Sequence, residues 1–161
     1  MNGGTFTMTG GRIENNDADG SSGGGGVYLG MGGHFVMSGG TISGNTTSNP
    51  TLITDNQRAG VSMNVINQPN PPTFTMSGSA RIAQNNEVFL HAGTMANPHR
   101  TIIVGGTFTG PASEIVAWIR PGTPSSGTTV LSGDFVGSSY QRFGLAPGIT
   151  GFTIGSNGQL Q

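Results

Sequence analysis

Apolar and polar residues alternate along short stretches of this chain, and the stretches recur. Thr5-Phe6-Thr7-Met8-Thr9-Gly10-Gly11 returns as His34-Phe35-Val36-Met37-Ser38-Gly39-Gly40, and again as Thr73-Phe74-Thr75-Met76-Ser77-Gly78-Ser79. A period of two places successive side chains on opposite faces of a strand. Phe6 and Met8 then point inward, with Thr5, Thr7 and Thr9 outward. Each copy continues into a second apolar element, Arg12-Ile13, Thr41-Ile42 or Arg81-Ile82, and an Asn follows three residues past each Ile: Asn16, Asn45 and Asn85. A third element ends each unit: Val27-Tyr28-Leu29, Val61-Ser62-Met63 and Val88-Phe89-Leu90. No element carries helical spacing, so the strands connect without helices.

The first two intervals between units are 29 and 39 residues. A diverged copy starts at Thr101-Ile102-Ile103-Val104 and runs through Thr107-Phe108-Thr109 to Ile115-Val116-Ala117-Trp118-Ile119; another begins near Thr128-Thr129-Val130-Leu131. Three strands per turn, stacked turn on turn, predict an all-β chain: a parallel β-helix solenoid of about five coils. Residues 1–133 form the coils. Residues 134–161 leave the repeat, with Tyr140, Phe143, Leu145, Phe152 and Ile154 irregularly spaced, and form a C-terminal cap of the same domain, since terminal repeats are atypical.

Glycines and asparagines mark the bends. Gly10-Gly11 and Gly39-Gly40 stand where a sharp first bend needs left-handed backbone angles. Asn16, Asn45 and Asn85 read as a structural ladder at the second bend, each amide bonded to the next coil.

The pattern Gly-Gly-Thr-Phe-Thr-Met-Ser/Thr-Gly-Gly-x-Ile, then Asn, then Gly-Gly-Gly-Val-Tyr-Leu, resembles repeats of bacterial surface proteins. Those repeats belong to the right-handed parallel β-helix, or pectin-lyase-like, superfamily, and are similar to polymorphic outer-membrane protein and autotransporter passenger repeats. The stretch from Trp118-Ile119-Arg120-Pro121 to Gly158-Gln159-Leu160 resembles the end of such arrays. The resemblance implies a right-handed solenoid on the bacterial surface or secreted from the cell. It leaves activity open, because that fold hosts many functions.

Composition sharpens the picture. Thirty of the 161 residues are Gly, no Lys is present, and the net charge is −1. Scarce helix formers exclude a helical domain, and six scattered arginines make no basic stripe for nucleic acid. Without Cys there is neither a disulfide nor a thiolate metal site. Ile115–Ile119, the longest strongly apolar run, is far too short for membrane insertion as a helix. No signal peptide precedes the first repeat, since Met1 is followed at once by Asn2-Gly3-Gly4: either export information lies outside this chain, or the protein is not exported by that route.

Candidate chemistry sits in the loops. Asn15-Asn16-Asp17-Ala18-Asp19-Gly20 spaces oxygen ligands as calcium loops do, making Asp17 and Asp19 candidate calcium ligands; an EF-hand Glu is missing, for its position holds Gly26. Otherwise no cofactor is expected. Tyr28 and Phe89, at equivalent positions, and Trp118 one coil later are a possible carbohydrate platform, or pack beneath the side loops of coils one and two. A lyase or hydrolase would need acids gathered on one face. Glu14, Asp17, Asp19, Asp55, Glu87, Glu114 and Asp134 lie mostly one per coil, and His34, His91 and His99 have no acid at useful spacing. No catalytic residue is assigned. Outward Thr5/Thr7 and Thr73/Thr75 suggest ice binding, but His34 and Val36 interrupt the column.

The reading these features favour is a non-enzymatic structural or adhesive module of a bacterial surface or secreted protein. A carbohydrate-active enzyme is the alternative, an ice-binding protein a further one. The chain enters its first repeat within four residues, so coil one offers an open edge. Self-association through residues 3–13 and 27–32 is expected, alongside a glycan or other surface ligand.

Overall fold

The computed structural model describes residues 1, 3–18, 24–47, 59–63, 70–92 and 100–161. Thirteen strands lie among them: β1 (Thr5–Glu14), β2 (Asp17–Ala18), β3 (Val27–Leu29), β4 (His34–Ser43), β5 (Thr46–Thr47), β6 (Ala59–Met63), β7 (Thr73–Gly78), β8 (Arg81–Ile82), β9 (Glu87–Leu90), β10 (Ile102–Phe108), β11 (Ala117–Pro121), β12 (Leu131–Ser132) and β13 (Phe143–Leu145). One four-residue helix, α1 (Val136–Ser139), precedes a single 3₁₀ turn at Tyr140–Arg142. The strands stack as a parallel β-solenoid of about four turns.

Repetition in the sequence becomes vertical register. The first sheet runs β1-β4-β7-β10-β12, with β8 also on β4; the second runs β3-β6-β9-β11-β13; β2 and β5 form a two-stranded third. Phe6 pairs with Phe35, Phe35 with Phe74, Phe74 with Ile102 and Ile102 with Leu131. Met8, Met37, Met76 and Val104 form the next column. From the opposite wall Val27, Val61, Val88, Ile119 and Leu145 project in turn. Phe35, Phe74, Met37, Met76, Ile42, Val61 and Ile119 are fully buried, so the two walls meet in one core. The aromatic column is stacked, with Phe6–Phe35 and Phe35–Phe74 centroids 5.2 and 4.9 Å apart and rings within 9° and 8° of parallel.

One expectation needs correction. The first bend does not break the strand. β1 and β4 run through it as ten-residue strands whose register slips at Met8/Thr9 and again before Arg12. A bulge absorbs the bend instead. Gly40 carries it at φ 90°, where a Cβ would lie 2.5 Å from Met8 Cε. The coil count roughly matches the expected five, at about four turns. β12 and β13 add fifth rungs to the two sheets, and α1 with the 3₁₀ turn occupies the path between them. The segment expected as a cap therefore supplies β13 before it closes the end.

Closure itself comes from a change of strand direction. Thr129 and Gln159 bridge antiparallel, as do Ile154 and Leu160. Val130 N–H donates to Gly158 O and Leu160 N–H to Thr128 O, and Leu160 is buried. The returning chain thus takes up backbone groups that another parallel rung would have used.

Coil one is the converse. Phe6, whose equivalents Phe35 and Phe74 are fully buried, is 38% exposed, and Met31 is 50% exposed. Among the described residues β1 and β2 have a strand partner on one edge only, whereas Met1 bonds the outer edge of β3, its amine donating to Tyr28 O and its carbonyl accepting from Gly30 N–H at 2.7 Å.

Candidate functional site

The asparagine corner is the best-defined polar feature. Asn16 N–H and Nδ2 both donate to Asn45 Oδ1, at 3.1 and 2.8 Å. Asn45 repeats the motif one coil on, its N–H and Nδ2 donating to Asn86 Oδ1 at 3.0 and 2.7 Å. Asn45 Nδ2 also reaches Ile13 O at 2.9 Å. Asn45 and Asn86 are completely buried. The third rung is therefore Asn86 and not Asn85, which is exposed. Ile82 stays in register with Ile42, but coil three has one extra residue before its ladder Asn. A tight turn closed by Asn86 N–H to Ala83 O, 2.8 Å, takes it up. The adjacent Asn85-Asn86 pair left the choice ambiguous by one position.

Tyr28, Ser62, Phe89 and Arg120 share one outward register position on the second sheet. Trp118 lies two residues from Arg120 and sits instead over Gly144, where a Cβ would meet its ring at 2.7 Å. Phe89 is buried and packs edge-on against His91, with centroids 4.5 Å apart. Arg120 rather than Trp118 therefore stands at the register position of Tyr28 and Phe89. His91's pKa is lowered by burial.

Arg120 pairs with Glu87 on the neighbouring strand. Its Nε and Nη2 donate to the two carboxylate oxygens at 2.5 and 3.1 Å, and Nη2 also reaches Pro147 O at 2.8 Å. Both side chains are nearly dry. Sequence spacing gave no hint of this pair, since 33 residues separate its members.

A second ionic cluster ties three coils together. Arg81 Nε and Nη2 donate to Glu114 Oε1 and Oε2 at 2.8 and 2.7 Å. Arg142 reaches Glu114 O at 2.8 Å and Oε2 at 3.3 Å, and lies over the Phe108 ring. The hydrogen bond from Arg81 holds the Glu114 carboxyl below its ordinary pKa, and both guanidinium charges add to this.

Of the calcium candidates, Asp17 lies on β2 and accepts a 2.7 Å hydrogen bond from Thr46 Oγ1, a rung between coils. Asp19 lies outside the described residues, as do Asp55 and His99. Among the described residues no three His, Asp or Glu side chains are grouped to hold a metal. The outward face of the first sheet carries the threonines, with His34 Nδ1 and Thr73 Oγ1 sharing a 2.8 Å hydrogen bond. The column Thr7, Val36, Thr75, Ile103 mixes hydroxyls with branched apolar groups.

Beside those threonines a cleft of about 500 Å³ opens where the chain enters β7, β10 and β12. Pro71, Pro72 and Ile103 give it apolar wall, and Arg100 lines it with several hydroxyls. Arg100 is only 8% exposed, and its Nε and Nη2 are buried without a hydrogen-bond partner. Desolvation lowers its pKa. Arg100 has no equivalent in the earlier coils, so the repeat does not single it out.

The fold and these clusters define the chain as a parallel β-solenoid whose coils are locked by asparagine and arginine–glutamate rungs. No family model matches the chain, and neither curated proteins nor solved structures give a match.

Proposed function

We propose that this solenoid is a non-enzymatic structural and adhesive module of a bacterial surface or secreted protein, of the right-handed pectin-lyase-like kind. One observation carries the reading: the described carboxylates that could act as acids, bases or nucleophiles are mostly tied up between coils. Glu87 is paired with Arg120, Glu114 with Arg81 and Arg142, and Asp17 with Thr46. A glycosidase needs two carboxyl groups facing one substrate bond, whereas these face arginines or a threonine in neighbouring coils. A long-lived rod displaying loops and edges is the function such locks serve.

The reading extends to self-association through coil one. The outer edge of β1, which has no strand partner among the described residues, and the exposed Phe6 and Met31 supply backbone and apolar area for another chain. Two such ends meeting face to face make a closed dimer.

Immobilised protein should capture glycans or cells while releasing no unsaturated or reducing-end product from polysaccharides and showing no thermal hysteresis. Turnover of any polysaccharide, with loss in Glu87→Gln or Glu114→Gln variants that still fold, would replace the adhesive reading with an enzymatic one. Thermal hysteresis abolished by Thr75→Tyr would favour ice binding. Sedimentation over a concentration series should give a dimer weakened by Met31→Asp. A monomer at every concentration removes the self-association part alone.

A further inference from the structure

Space demands a glycine at the first bend of coil two, but not at the first bend of coil one. Gly39 is buried, its backbone is not left-handed, and a Cβ there would collide with Thr9 O of the coil before. Gly78 meets Ser38 O in the same way one coil later. Gly10 is their equivalent in coil one. It is not left-handed either, yet it is exposed, and a Cβ there would meet no described atom within 4 Å. Glycine inside a strand loses more conformational freedom on folding than alanine does. A strand lying on coil one, as coil one lies on coil two, would give Gly10 the reason that Gly39 has.

The rest of β1 offers the same seat. Phe35 is stacked on both faces and fully buried, whereas Phe6 stacks on Phe35 alone and is 38% exposed. Gly4 O accepts from His34 N–H at 2.9 Å. Alternation along the strand then turns the backbone groups of Phe6 towards β4 and those of Thr5 and Thr7 outward, where they meet no strand among the described residues. Both threonines are exposed. There is room for a strand but not for a whole coil, because Met1 already bonds the outer edge of β3.

We infer that the outer edge of β1 receives one extended segment of another chain, added in parallel and carrying this repeat's own alternation. Its phenylalanine stacks on Phe6, its methionine two residues on follows Met8, and the next carbonyl rests on Gly10 as Thr9 O rests on Gly39. Strand addition of this kind takes affinity from backbone bonds and specificity from alternate side chains. The inference rests on coil one being an association surface, but not on the face-to-face dimer.

A peptide of residues 32–43, Gly-Gly-His-Phe-Val-Met-Ser-Gly-Gly-Thr-Ile-Ser, is the probe, since it supplies the neighbouring rung. Titrated into the full chain it should bind saturably, and a peptide of the same composition with the alternation scrambled at least about tenfold more weakly. Bound peptide should slow amide exchange at Thr5 and Thr7 more than at Phe6. A nitroxide on its N-terminus should broaden Thr5 more than Glu14, the parallel order. Gly10→Ala should keep the wild-type melting temperature and lose at least about tenfold in peptide affinity. No saturable binding, equal binding of the scrambled peptide, the reverse nitroxide order, or unchanged affinity in Gly10→Ala overturns the inference. Should Gly10→Ala fail to fold, the exchange and nitroxide measurements on wild type decide. A dimer in sedimentation without peptide binding removes this inference alone; peptide binding by a chain that stays monomeric supports it and removes the dimer alone.

Discussion

At the scale of single residues, the asparagine rungs matter more than their share of the chain suggests. Asn45 joins Ile13, Asn16 and Asn86 through buried or half-buried bonds. Asn45→Ala leaves several of those groups unpaired at once, each costing about 1–3 kcal/mol. The expected loss is about 2–4 kcal/mol, measured by urea unfolding with the m-value unchanged. Asn86→Ala should cost a similar amount and Asn85→Ala, at an exposed site, less than about 0.5 kcal/mol. Equal effects at 85 and 86 would refute the assignment of the third rung. The existence of the ladder was legible from Asn recurring after each Ile; its last member was not, because one inserted residue shifts the bend without altering the apolar pattern.

Between elements, the ionic pairs set how the protein responds to charge and pH. Glu87→Ala strands Arg120 in a dry site, and losing one partner of a buried pair costs about 3–5 kcal/mol. Glu87→Ala/Arg120→Ala should cost clearly less than the two single changes added, a non-additivity that chemical denaturation can read. Acid should weaken the fold in two stages. His91 binds a proton less readily when folded, so the unfolded chain takes protons first and stability falls as pH drops below about 6.5 toward the lowered folded value. Glu114 acts lower: its folded pKa is depressed by Arg81, so the stability it contributes is complete above the ordinary carboxyl range and is lost as pH falls through the folded value. His91→Phe should flatten the upper stage and Glu114→Gln the lower. Melting temperatures that stay level from pH 7 to pH 3 would contradict both. None of these pairs was legible in the sequence. Repeat reading finds what recurs, and each Arg–Glu pair occurs once, between residues about 30 apart whose meeting depends on the coil pitch.

For the whole molecule, the solenoid makes stability a chain of neighbour contacts, each coil held by the ones beside it. The two ends differ. The last rungs are closed by the antiparallel return that buries Leu160, whereas among the described residues coil one is met on its outer side by Met1 and leaves Phe6 38% exposed. Parallel stacking, strand order and the core columns were all legible, since a period of two within strands and a recurrence between them leave few other architectures. The closing hairpin was legible only as a departure from the pattern, because a single terminal turn has nothing to repeat. The asymmetry predicts a gradient in native-state hydrogen exchange. Amides of β1 and β3 should exchange through local fraying, well before those of β7, β9 and β10, which should exchange near the global limit. Asn45→Ala should steepen the gradient, since it cuts the rungs joining coil one to coil two and coil two to coil three. If two chains meet through coil one, protection of β1 and β3 must rise with protein concentration while that of β10 stays constant. Uniform protection from β1 to β10 at low concentration would show coil one to be as stable as the interior, and would remove the reason for a second chain to cover it.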